Sequence, residues 1–258
     1  MEADPGVDLP AGPPTVELRH VDFAYRTGDQ VLHDLSFEIP AGTAVAVVGE
    51  TGSGKSTMAK LLARLADPAS GQVIVAGEDL RTASEASRSR LIRMVPQDGF
   101  LFDTTLAENI RFGRPGATDA QIDQAIASLG LRDWVDGLPD GIETSAGERG
   151  EGISVGERQL VALIRAQLAD AGLLILDEAT SAVDPETEVR MAEALERLSR
   201  GRTTVSIAHR LSTAERADLV LVMDGGRLVE SGSHDDLIAV GGVYAGLHVD
   251  WVGNTQSR

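Results

Sequence analysis

The residues best placed by type and spacing to do chemistry are Gly49-Glu50-Thr51-Gly52-Ser53-Gly54-Lys55-Ser56-Thr57. They fit G-x-x-x-x-G-K-[ST], a loop that cradles phosphates. Glycine lets the backbone curl until successive N–H groups point inward at a polyanion. Lys55 supplies a compact positive charge for the β- and γ-phosphates of a nucleotide, and the Ser56 hydroxyl a ligand for Mg²⁺. The chain uses arginine nearly everywhere else, so a lysine here is not a by-product of composition. The loop lies between Thr43–Val48, a short β-branched run that reads as a buried strand, and Met58–Leu65, which reads as a helix. Strand, glycine turn and helix N-terminus are what binding a phosphate needs.

A second pair of groups closes the apolar run Leu173-Leu174-Ile175-Leu176: the carboxylates Asp177 and Glu178. The run reads as a central strand of a parallel sheet, and ligand sites form at the carboxyl ends of such strands. There Asp177 is suited to hold Mg²⁺ through water, and Glu178 to orient and deprotonate an attacking water. His20, His33, His234 and His248 show no metal-ligand spacing and read as structural residues.

The elements that must position these groups follow from periodicity. Val16–Val21 and Val31–Ile39 alternate like half-buried strands, so the first segment is β-rich and partly antiparallel. Further strands are expected at Gln72–Val75, Leu91–Gln97, Thr203–Ile207 and Leu219–Met223, the last turning through Asp224-Gly225-Gly226 into Arg227–Glu230. From Leu106 to Leu138 the period is helical, with Ile122, Ala125, Ile126 and Leu129 on one face. Val155–Leu168 reads as a long helix, and another starts at Pro185 behind the N-cap Asp184. The fold class is α/β: a mostly parallel P-loop NTPase core, an antiparallel β sub-domain and an α-helical sub-domain at about 100–165.

With 258 residues, 42% of them hydrophobic, the chain can bury a large core. The absence of cysteine suits a reducing compartment. The start, Met1-Glu2-Ala3-Asp4-Pro5, has neither the basic nor the apolar region of a signal peptide, and no apolar run reaches the length of a membrane span. A net charge of -17 argues against nucleic-acid binding. Residues 1–14, with four prolines, read as a linker or tail, and 249–258 as a C-terminal tail.

Together these segments resemble the ATP-binding subunit of ABC transporters, most of all the exporter type, over residues 15–248. The resemblance implies roles for further residues. Tyr25 matches the aromatic that stacks on adenine. Gln97, in Val95-Pro96-Gln97-Asp98, matches the glutamine that touches Mg²⁺ or water and senses the membrane domain. Thr144–Gly150 is similar to a loop facing that domain, and Ser181–Asp184 to one crossing a dimer. His209 matches the histidine at the γ-phosphate, and Gly232–Leu237 resembles the family's C-terminal ending.

One motif departs from the pattern. Where the family has Leu-Ser-Gly-Gly-Gln, this chain has Ile153-Ser154-Val155-Gly156-Glu157. That segment is expected to complete a partner subunit's site with the Ser154 hydroxyl, the Gly156 N–H and a helix N-terminus. Val155 adds a side chain where backbone must approach, and Glu157 a negative charge near a polyanion. The expectation is an ATPase using ATP and Mg²⁺, paired with a second nucleotide-binding domain and favouring a heterodimer with one weakened site. Its other partners are the transmembrane domains of an exporter, with which it sits at the cytoplasmic face. The proline-rich head resembles the linker that follows an exporter's membrane domain. The competing reading is a soluble ABC-type ATPase unlinked to transport.

Overall fold

A computed structural model of the chain describes residues 6–26, 28–96, 99–150, 152–177, 184–208 and 210–255. The chain divides into two compact units: residues 1–92, 172–178 and 201–258, and residues 93–171 and 179–200.

The first unit holds two sheets. β1 (Val16–Ala24) pairs antiparallel with β2 (Gln30–Ile39) on one side and β4 (Ser70–Val75) on the other, and β4 continues to β5 (Glu78–Asp79). Val16, Leu18, Val21, Leu32, Leu35 and Ile39 are buried, the alternation the sequence predicts for a sheet with one apolar face. The second sheet runs β10 (Arg227–Gly232), β9 (Leu219–Asp224), β3 (Ala44–Val48), β8 (Thr203–Ile207), β7 (Leu173–Asp177). Its four strands from β9 to β7 are parallel, and β10 returns antiparallel through Gly225-Gly226. Val45–Val48, Leu173–Leu176 and all of β8 are buried, which is why these strands read as unbroken apolar or small-residue runs. α1 (Lys55–Leu62) packs on β7 and β8 with Met58, Ala59, Leu61 and Leu62 buried.

The two ends of the chain are more structured than their composition suggests. Val7 bridges Ala83, the Leu9 N–H donates to Ser87 Oγ at 3.1 Å, and Leu9 is buried. Ser87 belongs to α2 (Glu85–Leu91), a polar helix capped by Ser84 that shows no apolar period. At the other end, α8 (Leu211–Glu215), α9 (His234–Val240) and α10 (Val243–Thr255) pack Ala214, Leu237 and Tyr244 onto Val220 and Val222. Trp251, within the stretch expected to be a tail, joins that core from α10. The Glu230 carboxylate of β10 accepts from the Val243 and Tyr244 N–H groups at 2.6 and 2.9 Å and fixes the start of α10. Burial, and then the Glu215 charge, push the Tyr244 phenol up to about 12.

β6 (Ile92–Val95) begins where the first unit ends. The second unit is otherwise helical: α3 (Leu106–Arg111), α4 (Asp119–Leu129), α5 (Arg132–Asp136), α6 (Val155–Ala169) and α7 (Pro185–Ser199). Two single 3₁₀ turns, Gly141–Glu143 and Glu148–Gly150, lie in the Gly- and Glu-rich loops. α4 buries Ile122, Ala125, Ile126 and Leu129, the face its spacing predicts. α7 starts at Pro185, with Asp184 Oδ1 accepting from the Thr187 N–H at 3.0 Å. No helix of the described residues is long and apolar enough to cross a membrane.

Candidate functional site

The parallel pairing aligns Val47, Ile207 and Asp177 in one row across β3, β8 and β7. The loop after β3 and the carboxylate at the end of β7 therefore emerge on the same edge of the sheet. Two strand spacings separate them, about 10 Å. The loop backbone takes left-handed φ values at Gly49, Gly52 and Gly54, of 147, 87 and 98°. At Gly49 the requirement is also steric, since an added Cβ would stand 2.0 Å from the Met223 carbonyl oxygen. Gly54 is the N-cap of α1 and no side chain among the described residues caps that helix, which leaves its first N–H groups open to a ligand.

Lys55 is only 5% exposed. Its ammonium donates to the Gly49 and Glu50 carbonyls at 2.7 and 2.8 Å and reaches the buried Ser53 Oγ at 3.4 Å. Burial lowers its pKa, and the Asp177 charge pulls the other way. This is a cation taken out of water with, among the described residues, carbonyl dipoles and one carboxylate around it, an environment that a polyanion would complete. Glu50, Thr51, Gly52 and Ser56 are exposed, while Thr57 is buried. An open hydroxyl on the first turn and a carboxylate across the sheet edge are hard oxygen donors, so Ser56 and Asp177 fit Mg²⁺.

Tyr25 follows β1. Its ring meets Phe23 edge-to-face at 5.0 Å, and its hydroxyl lies 3.1 Å from Thr57 Oγ1. The Lys60 ammonium stands 5.6 Å from the ring centroid. The side chain is thus tied to the phosphate-loop helix and still 40% exposed, open to a planar partner. If it stacks on the base, Tyr25→Ala is expected to raise the Kd for ATP roughly 10-fold, as loss of one aromatic–base stack does, and Tyr25→Trp to preserve it. Equilibrium binding of a fluorescent nucleotide measures both; an unchanged Kd in Tyr25→Ala would leave Tyr25 a packing residue.

Gln97, Glu178, His209 and the stretch 181–183 lie outside the described residues.

In the second unit, Ser154 is the N-cap of α6. Its Oγ accepts from the Glu157 N–H at 3.2 Å, while the Ser154 N–H donates to Glu157 Oε2 at 2.8 Å. The Trp134 indole N–H donates to Glu157 Oε1 at 3.2 Å. Burial pushes the Glu157 carboxyl up, but these donors outweigh it and hold the pKa below its ordinary value. Glu157 thus closes a capping box and keeps a carboxylate at the helix N-terminus. Gly156 is buried and Val155 exposed.

Sequence reasoning missed one feature of this unit. Phe100, Phe102 and Phe112 are 56, 46 and 54% exposed, and their rings meet at 5.1 and 4.4 Å. Phe100, Phe102 and Phe112 line a groove with Arg93, Met94 and Arg165. Arg165 builds its wall: Nη1 donates to the Phe100 carbonyl, and Nε and Nη2 to the carbonyl and Oδ1 of Asn109, all at 2.6 Å. Arg93 Nε is buried there without an acceptor among the described residues. The three phenylalanines are too irregularly spaced to leave a periodic signal.

The family model described as ABC transporter matches residues 32–181, more than half of the chain. The chain belongs to the ABC transporter family. This ABC protein is 48% identical over 236 residues to the ATP-dependent lipid A-core flippase of Burkholderia pseudomallei, covering 90% of this chain and 39% of that one. It is 46% identical over 233 residues to the Beta-(1-->2)glucan export ATP-binding/permease protein NdvA of Agrobacterium fabrum, covering 90% and 40%. A solved bacterial Atm1-family ABC exporter with ATP bound superposes with a TM-score of 0.86 at 40% identity, over 96% of this chain and 45% of that one. The ABC protein therefore spans about two-fifths of the length of these curated relatives, the ATP-binding, ATPase part, on an ABC-type P-loop fold.

Proposed function

We propose that this chain is one of two nucleotide-binding domains that hydrolyse ATP to drive an exporter, extending over residues 15–248. The observation that carries this reading is the row Val47–Ile207–Asp177, which brings the phosphate loop and the carboxylate to one sheet edge. In it the backbone of Gly49–Gly54 and the α1 N-terminus hold the phosphates, and Lys55 moves its ammonium from loop carbonyls to phosphate oxygens. Ser56, Asp177 and Gln97 hold Mg²⁺, which when bound neutralises phosphate charge. Tyr25 orients the base, Glu178 takes the proton of the attacking water, and His209 contacts the γ-phosphate.

The second site belongs to the partner. Ser154, Val155, Gly156 and Glu157 face the partner's nucleotide in this reading. The Ser154 hydroxyl is already an acceptor within its own cap, and the Glu157 carboxylate occupies the helix end that would otherwise attract phosphate. Two equal subunits would then both carry a poor signature, so a heterodimer with unequal sites suits this chain better. The variant Val155→Gly with Glu157→Gln keeps the capping box and removes the charge and the branched side chain. Turnover at the partner's site of the assembled transporter is expected to rise about 10-fold, equivalent to ~1.4 kcal/mol, with little change at the Lys55 site. Robust cooperative hydrolysis by the unmodified chain alone, as a homodimer, would overturn the heterodimer.

The aromatic groove is the surface offered to the transmembrane partner at the cytoplasmic face. It combines exposed rings with a buried guanidinium nitrogen that has no acceptor among the described residues, and aromatic and arginine side chains are the ones that anchor interfaces. Phe102→Ser with Phe112→Ser is expected to leave nucleotide affinity unchanged and to weaken association with the membrane domain roughly 30-fold, the scale of losing an anchor. Co-purification and transport-coupled ATPase activity check this, and undiminished assembly would return the groove to a role in packing.

A further inference from the structure

The C-terminal helices bring together three groups that lie far apart in sequence: Glu215 at the end of α8, His234 at the start of α9 and His248 within α10. One potential donor atom from each lies within 4.8 Å of the others. The two imidazole rings stand 5.5 Å apart, and His248 Nε2 lies 3.9 Å from Glu215 Oε1. We propose that Glu215, His234 and His248 form a binding site for a divalent transition metal, with Zn²⁺ the best match, that ties α8 to α9 and α10.

Four observations carry it. First, the donor set is two imidazoles and a carboxylate, the composition zinc sites use when three protein ligands leave a fourth position open. Magnesium and calcium prefer oxygen alone, so the site differs in kind from the nucleotide-linked one. Second, the ring of His234 is already oriented: Nδ1 lies 2.7 Å from the Tyr244 hydroxyl. An imidazole held at one nitrogen offers the other to a metal, and such outer hydrogen bonds raise affinity. Third, Tyr244 and His248 are four residues apart on α10, so the residue that orients one ligand shares a helix face with the other. Fourth, the three helices cannot drift independently. Ala214, Leu237 and Tyr244 share one buried core, and Glu230 anchors the first turn of α10. At Gly242 an added Cβ would stand 2.0 Å from Glu230 Oε1, so a larger residue there would have to displace that carboxylate.

Tetrahedral zinc with bonds of about 2.1 Å needs neighbouring ligand atoms roughly 3.4 Å apart. The donors must therefore close by up to about 1.4 Å, within the reach of side-chain rotation for partly exposed groups. The histidines gave no sign of this in sequence because metal-ligand spacing is legible only when ligands share a hairpin or one helix. Here each comes from a different helix, and the thirteen residues between His234 and His248 hold the rest of α9 and the turn into α10.

The test uses the purified chain, free of polyhistidine tag and of nucleotide, whose phosphates would compete for metal. Titration with ZnCl₂ is expected to show one equivalent bound that a large excess of Mg²⁺ does not displace. Saturation, at about 100 times Kd, is expected to raise Tm by roughly 5 °C or more. Co²⁺ in place of Zn²⁺ is expected to give visible d–d absorption of a site with fewer than six ligands. His248→Gln and Glu215→Gln, both at partly exposed positions, should each weaken binding at least 10-fold with unchanged circular dichroism. Protection by Zn²⁺ of His234 and His248 of the unmodified chain from acylation by diethyl pyrocarbonate, read by peptide mass, gives an answer even if a variant misfolds. Absence of stoichiometric binding, displacement by Mg²⁺, equal affinity in folded variants, or unprotected histidines would each overturn the site.

Discussion

A Glu178→Gln chain is expected to bind ATP as tightly as the unmodified protein and to hydrolyse it about 10²–10⁴-fold more slowly, the contribution of a general base. Glu178 follows Asp177, which closes β7 in the same row as Ile207 and Val47. β7 therefore ends at Asp177 on the edge from which the phosphate loop departs. Glutamine keeps the size and one acceptor oxygen of glutamate and loses the ability to take a proton, so shape and binding survive while water activation fails. Single-turnover phosphate release, measured beside equilibrium ATP binding, separates the two. In a heterodimer with unequal sites this one substitution is expected to remove nearly all turnover of the assembly, because the partner's site is completed by the altered Ser154–Glu157 segment. Near-normal turnover with Gln at 178 would sink both the base assignment and the ranking of the two sites.

The second large effect is expected from Lys55→Met, which fills a similar volume without charge. Affinity for ATP should fall roughly 10²-fold, the scale of losing hydrogen bonds to a charged group. Lys55 is buried against the Gly49 and Glu50 carbonyls, and burial lowers its pKa. Among the described residues, its surroundings apart from the Asp177 carboxylate offer dipoles rather than charge, so the ammonium is expected to gain most when a polyphosphate arrives. The two variants therefore fail differently: Gln at 178 loses turnover with Kd intact, Met at 55 loses Kd first. Isothermal titration with ATP decides it. A Lys55→Met chain that binds ATP normally would leave the ammonium as nothing more than a brace for the loop.

What the sequence by itself determined here is whatever depends on neighbours along the chain. The phosphate loop is legible because its glycines must reach left-handed φ and its flanking strand and helix are adjacent in sequence. The buried face of α4, the Asp184–Pro185 start of α7 and the Gly225-Gly226 hairpin are legible for the same reason: each is a local period or a local cap. Only the tertiary structure decided where distant residues meet. Asp177 counts as a partner of Lys55 because parallel pairing with β8 aligns β7 and β3, a register no local pattern encodes. Glu157 reads in sequence as a stray charge, and in space it is a capping residue held by Trp134 from another helix. Residues 6–14 read as a linker because prolines lack the donors of regular structure, yet Val7 and Leu9 find their partners at Ala83 and Ser87. Phe100, Phe102 and Phe112 form one surface, and Glu215, His234 and His248 one cluster, because chain segments fold back on each other. Long-range packing of this kind is set by the whole core, and a window along the sequence contains none of it.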